Sequence, residues 1–388
     1  MVKIQESEFK KRIEIIQLKM EKENLDALMV YGDEYRKENL RYVCNFWPIF
    51  ERGALFIPKK GEPIYAGAPE GENYVKEMGV WSDVRNIADF ACVSVPEEIH
   101  FPLVTLSSLG ETIEETLKGG KNLGIIGMSD IPAILLRKIE SVKTDMFLTD
   151  ASGLIYGMRL IKEQAEIACL REAGRQACEG YKRLMEYAVP GNTERLAAAA
   201  GESAARMAGA EAINFTIFCS EARTNTMIGR DTDKVIEDGD MIMACLAVQY
   251  EGYTASAAYP FVAGRASDRQ QRFLSVLFKA SDTQLNYLRE GEVMGGMVKA
   301  VRNIFKREGL DKYDIYPPLH GIGLAEAESP YPNEKTSSCF KAGMTVNSDI
   351  SLFGHCVGSN RIEEGFVITK EGWESLTPYV RELCAKGI

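Results

Sequence analysis

The chain has 388 residues, more than one compact core comfortably supports, so two domains are expected. Its composition, 45% hydrophobic and 26% charged, is that of an ordinary globular enzyme, and a formal charge of -10 argues against nucleic acid or an anionic membrane as partner. Nine cysteines (44, 92, 169, 178, 219, 245, 339, 356 and 384) are scattered, odd in number and nowhere spaced CxxC, which predicts reduced thiols in a cytoplasmic protein and not a disulfide framework.

In chain order, apolar residues recur at helical spacing from Phe9 to Lys22, and the runs ALMVYG, ALFIPKK and EPIYAG then read as short strands closed by Gly, Pro and Lys. The stretch KNLGIIGMSDIPAILLRKIESV reads as strand, glycine turn and helix, so residues 1–150 are expected to form an α/β domain. The Gly-rich run DASGLIYGMR predicts a hinge over 151–157, with a second domain over 158–388. That domain opens with two helices parted by Pro190-Gly191, continues through β-rich runs, and carries further helices around 269–290 and 298–308, an α+β pattern. No internal repeat and no apolar run of about 20 residues is legible.

The most informative segments lie in the second half: GDMIMACLAVQYEGYTASAAYPFVAG from Gly239, HGIGLAEAESP from His320, AGMTVNSDISLF from Ala342 and NRIEEGFVITKEGWESLT from Asn360. In order and spacing they resemble the creatinase/prolidase/aminopeptidase P family, and with the helix opening MRLIKEQAEI the resemblance runs along nearly the whole chain. It implies an α/β N-terminal creatinase-like domain followed by an α+β C-terminal pita-bread domain.

Peptidases of that family hold two divalent metals with two Asp, one His and two Glu. The matching positions here are Cys245, Ser256, His320, Asp349 and Glu363. Serine is a poor ligand and cysteine a soft one, so a dinuclear site is not expected. One divalent ion (zinc, manganese or iron) on Cys245, His320, Asp349 and Glu363 is the alternative to no metal at all. Cys245 can equally be a small buried hydrophobe on a strand. The family's usual creatinase base falls at Ile228, and the second His of its HGxGLxxHE pattern falls at Ala327, beside a retained Glu328.

The resemblance implies roles for the remaining candidates. His320, Asp349 and Glu363 are the catalytic candidates, with His320 as acid or base and the two acids facing a substrate cation, unless Arg361 neutralises them as an ion pair. Phe50-Glu51-Arg52 falls where creatinases carry a Phe-x-Arg that crosses the dimer interface to clamp a carboxylate. Arg52 and Phe50, with Phe46 and Trp47 beside them, are therefore candidates for substrate contact in a homodimer. Arg361, Glu328 and Arg223 complete the substrate-binding candidates, with Asn225 and Arg230 in the loop of Arg223 and with His355 and Cys356 between the two acids.

The expected function is a creatinase-like hydrolase that cleaves a C–N bond in a small substrate bearing a carboxylate and an amine or amidine, without metal. An Xaa-Pro dipeptidase or aminopeptidase with an altered mononuclear metal site, and a non-catalytic binding protein on a peptidase fold, are the alternatives.

Overall fold

The computed structural model describes residues 2–91 and 105–387, so Cys92 lies outside the described residues. The chain divides into two compact units, Ile4–Arg159 and Leu160–Ile388, the latter joined by Met1–Lys3. No helix among the described residues is long and apolar enough to cross a membrane.

The N-terminal unit is a six-stranded mixed sheet with helices. Helix α1 (Glu6–Lys22) buries Phe9, Ile13, Ile16 and Met20 at the spacing the sequence shows, and β1 (Ala27–Asp33) runs on buried throughout its first six residues. After α2 (Glu38–Cys44) come β2 (Arg52–Pro58), β3 (Ile64–Gly67), α3 (Glu72–Met78), β4 (Val84–Asn86), α4 (Leu109–Leu117), β5 (Asn122–Ile126), α5 (Ala133–Ser141) and β6 (Phe147–Asp150). The sheet order is β4-β3-β2-β1-β5-β6. Strands β1, β2 and β3 pair antiparallel, while β4, β5 and β6 join in parallel. One core, with Met29, Phe56, Ile113 and Ile125, packs α4 and α5 against this sheet.

The segment expected to be a hinge over 151–157 is instead a helix, α6 (Ser152–Arg159). Asp150 starts it: its Oδ1 accepts from the Ser152 backbone N–H and from Ser152 Oγ, satisfying groups a helix start leaves open.

The C-terminal unit shows a repetition that the residues alone do not. Helices α7 (Gln164–Tyr187) and α8 (Glu194–Met207) lead into β7 (Ala212–Ser220), β8 (Met241–Tyr250), β9 (Tyr253–Ala257) and β10 (Phe261–Val262). Helices α9 (Asp268–Leu285) and α10 (Met294–Arg307) then lead into β11 (Leu319–Gly321), β12 (Thr345–Leu352), β13 (Asn360–Ile368) and β14 (Trp373–Ser375), before α11 (Pro378–Lys386) closes the chain. Each half opens on a capping box, Glu163 with Glu166 and Ser267 with Gln270. Gly191 and Gly291 turn the chain between the helices at φ 95° and 88°, and Gly209 and Gly309 stop the second helix of each half, also at positive φ. Each pair is 100 residues apart. The expectation of no internal repeat is corrected by backbone geometry, because the helical faces that surround these glycines share little sequence.

Strands β7 to β10 form one four-stranded sheet and β11 to β14 another. The two meet through paired backbone hydrogen bonds between Ala258 and Glu363. Helix α7 packs against β8 and β9, and α9 against β12 and β13. The approach of α7 is close: a Cβ at Gly174 would lie 1.9 Å from the Leu376 carbonyl oxygen.

Candidate active site

Strand periodicity builds the site. Successive side chains alternate faces, so Asn347 and Asp349 of β12 share one face, as do Arg361 and Glu363 of β13, and the antiparallel register sets Asp349 opposite Glu363. All four are buried. The other face of β13 carries Glu364, which pairs with Arg381 on α11 and stays out of the site.

Arg361 is the centre of charge. Its Nη1 donates to Glu363 Oε1 at 2.8 Å, and its guanidinium stands 5.2 Å from the ring of Phe353 and 6.0 Å from that of Tyr316. Burial opposes the charged form of Arg361, yet the Asp349 and Glu363 charges raise its pKa. Glu363 is likewise buried, but Arg361, His320 and the Cys245 thiol together hold its carboxyl below the usual range. Asp349 is shifted the other way, mainly by burial and then against Arg361 by the neighbouring Glu363 charge. Its Oδ1 has no hydrogen-bond partner among the described residues.

His320 on β11 faces the same cluster. Its Nδ1 lies 2.9 Å from the Gly321 carbonyl oxygen, which can only accept, so Nδ1 is the donor and Nε2 is turned toward the cluster. Asn347 Nδ2 approaches that Nε2 at 3.4 Å and donates to Glu363 Oε2 at 3.0 Å, linking the imidazole to the acid. Glu326 Oε1 is 3.9 Å from His320 Nε2 and accepts from Ser256 Oγ at 3.1 Å. Burial and then the charge of Glu363 push the Glu326 carboxyl up to about 7, against the pull of His320.

Sequence reasoning missed Glu326 and Asn347. Asn347 was within reach, two residues before Asp349 on a strand. Glu326 was hidden by Glu328: in AEAE the two acids alternate with alanines, and nothing in the residues tells which one turns inward. The structure sends Glu328 to Lys162, Oε1 to Nζ 2.5 Å, and turns Glu326 to His320.

The other candidates are placed as follows. Cys245 on β8 is buried among Ile217, Met243, Ala258 and Phe353 beside Glu363, with its thiol pushed well above the usual range by burial and then by the Glu363 charge. Arg223 pairs with buried Glu194 at 2.8 Å and donates to the Arg230 carbonyl, tying its own loop together. Asn225 accepts from Ser359 Oγ. Ile228 is 68% exposed. His355 stacks on Phe273 and does not join the acids. In the N-terminal unit Phe50 is half exposed at φ 43°, Phe46 is core against Tyr65 and Tyr74, and Lys37 covers the Trp47 ring.

Residues 168–370 match Metallopeptidase family M24 and residues 12–161 match the Creatinase/Prolidase N-terminal domain. The chain belongs to the creatinase/prolidase/aminopeptidase P family, with the two-domain pita-bread fold. The Xaa-Pro dipeptidases of Pyrococcus furiosus and Pyrococcus horikoshii are 29% and 25% identical to it, each over 89% of this chain and 99% and 98% of their own. Among solved structures, the prolidase of Pyrococcus horikoshii aligns over 95% of this chain and 98% of its own at a TM-score of 0.81 and 24% identity. The X-Pro aminopeptidase of Thermotoga maritima aligns over 94% and 97%, also at 0.81, with 22% identity.

These relatives correct two expectations. Full-length similarity to Xaa-Pro dipeptidases overturns the creatinase-like hydrolase of a small carboxylate-amidine substrate. The match to a metallopeptidase family overturns the expectation of no metal, since that family implies divalent ions. The donor set of this chain nevertheless does not fit such an ion as it stands. Glu363 is held by a guanidinium, Cys245 is a protonated buried thiol, Ser256 is engaged with Glu326, and no cluster of three or more His, Cys, Asp or Glu among the described residues could hold a metal.

Proposed function

We propose that the protein is a hydrolase of Xaa-Pro dipeptides, the substrate class named for its Pyrococcus relatives. The observation that supports this reading is the 3.9 Å approach of His320 Nε2 to Glu326 Oε1, an imidazole nitrogen beside a carboxyl pushed up to about 7. Such a pair suits hydrolysis of a tertiary amide. His320 Nε2 takes a proton from water as its oxygen adds to the carbonyl carbon, and protonated Glu326 gives its proton to the proline nitrogen as the C–N bond breaks. Proton return from His320 to Glu326 resets the pair. The free Oδ1 of Asp349 accepts from the substrate ammonium, and Arg361 keeps Glu363 ionised.

In the same reading the enzyme is a cytoplasmic homodimer. Eight free thiols among the described residues support the reducing compartment. Arg52, whose side chain makes no ion pair among the described residues, would contact the substrate carboxylate in a second copy.

The test is cleavage of Ala-Pro and Leu-Pro by the full chain, followed by product chromatography with and without added manganese, cobalt or zinc. Release of free proline, lost in His320→Ala, is expected. A folded wild-type protein that releases none under any of these conditions overturns the reading.

A further inference from the structure

A cleft lies away from the acids. It has a volume of about 470 Å³ and lies between α9 and the loop joining β12 to β13, with Arg269, Arg272, Lys279, Glu308, Phe273 and His355 among its walls. Arg269 and His355 also wall an adjoining cavity of about 340 Å³ that Cys356 lines.

The charges do not balance. Lys279 is paired with Glu308 at 2.9 Å, but Arg269 and Arg272 have no carboxylate partner among the described residues. Arg269 Nη2 reaches Cys356 Sγ at 3.2 Å, and the Arg272 guanidinium makes no hydrogen bond or ion pair among the described residues. Two like charges one helical turn apart disfavour the helix that carries them. They persist in a chain with 56 acidic and 46 basic residues, where carboxylate partners are plentiful. His355 lies in the field of Arg269 and Lys312: burial lowers its pKa, and these two charges lower it further. Its ring stacks on Phe273 with centroids 4.9 Å apart and planes 17° from parallel, giving the cleft a flat wall beside its cations.

We propose that this cleft binds a phosphomonoester-type dianion held by the guanidinium groups of Arg269 and Arg272. Guanidinium forks match phosphoryl oxygens in geometry as well as charge. The volume falls in the range of small-molecule sites and exceeds what a bare phosphate fills, leaving the His355 and Phe273 face for an organic substituent. This inference stands apart from the hydrolytic reading, since none of its residues belongs to the acid cluster.

The experiment is titration calorimetry of the full chain at constant ionic strength with inorganic phosphate, with a nucleoside monophosphate, and with chloride as control. Saturable binding of one equivalent of phosphate or phosphoester, absent with chloride, is expected. It should weaken roughly tenfold in Arg272→Gln and again in Arg269→Gln, for each charge-assisted contact removed. Tighter binding of the nucleotide identifies an organic phosphate as occupant, and equal binding identifies free phosphate. Because the ligand draws Arg269 from the sulfur, iodoacetamide alkylation of Cys356 should change rate on saturation while that of Cys339 does not. Arg272 is exposed and unpaired, so its variant will fold. No saturable heat from either phosphate, or unchanged affinity in Arg272→Gln, overturns the proposal.

Discussion

Arg361 and Glu363, two residues apart on one face of β13, form an ion pair at 2.8 Å with both side chains under a tenth exposed. Breaking such a pair strands a buried charge and typically costs about 3–5 kcal/mol. Arg361→Met is expected to lower the unfolding free energy, read from urea titration at pH 7, by an amount in that range. Glu363 has a depressed folded pKa, so its contribution is present above the unfolded value near 4.5 and lost as pH falls through the folded one. The deficit of the variant should therefore shrink in urea titrations at acid pH.

Glu326 titrates at about 7, and a role as proton donor makes activity fall as pH rises through that value. Glu326→Gln is expected to lower kcat on Ala-Pro by about 100-fold or more and to remove that alkaline limb of the profile. A variant that retains the limb would place the titration elsewhere.

Glu51, in the N-terminal unit, is buried with Oε2 lacking a hydrogen-bond partner among the described residues, and burial followed by the nearby Glu70 charge moves its carboxyl up to about 7. Its folded pKa is above the unfolded 4.5, so the folded state holds the extra proton between these values. Stability is full below about 4.5 and is lost as pH rises through 7. Glu51→Gln is expected to raise the melting temperature at pH 8.5 and to leave it unchanged at pH 4.5, read by calorimetric scans at both.

Gly174 sits mid-helix in α7, where alanine ordinarily adds about 1 kcal/mol of helix stability. Here the new Cβ would meet the Leu376 carbonyl oxygen at 1.9 Å. Gly174→Ala is expected to destabilise by roughly 1–3 kcal/mol as the backbone is forced apart, measured by chemical denaturation. A neutral or stabilising result would show that α7 yields freely.

The family, the two domains and the positions of His320, Asp349, Arg361 and Glu363 were legible because strand alternation and ordered motifs survive in the residues. The partner of each charge was not. Arg361 could have faced solvent as well as Glu363, and Glu328 could have filled the place that Glu326 takes. Those choices rest on tertiary neighbours such as Lys162, 166 residues before Glu328, that no local pattern reports. Helix α6 was missed for a simpler reason: Gly153 and Gly157 read as a break, although neither stands in a conformation that demands glycine.

The 100-residue repetition of the C-terminal unit bears on how a ligand is oriented. Two like halves ordinarily furnish a pocket with matching walls. In this chain Cys245 and Ser256, from the earlier half, are uncharged, whereas the later half supplies His320, Glu326, Asp349, Arg361 and Glu363. One wall is ionic and the other neutral, so every charge of the site is carried by one half of the duplication, an asymmetry that the shared fold of the two halves does not impose.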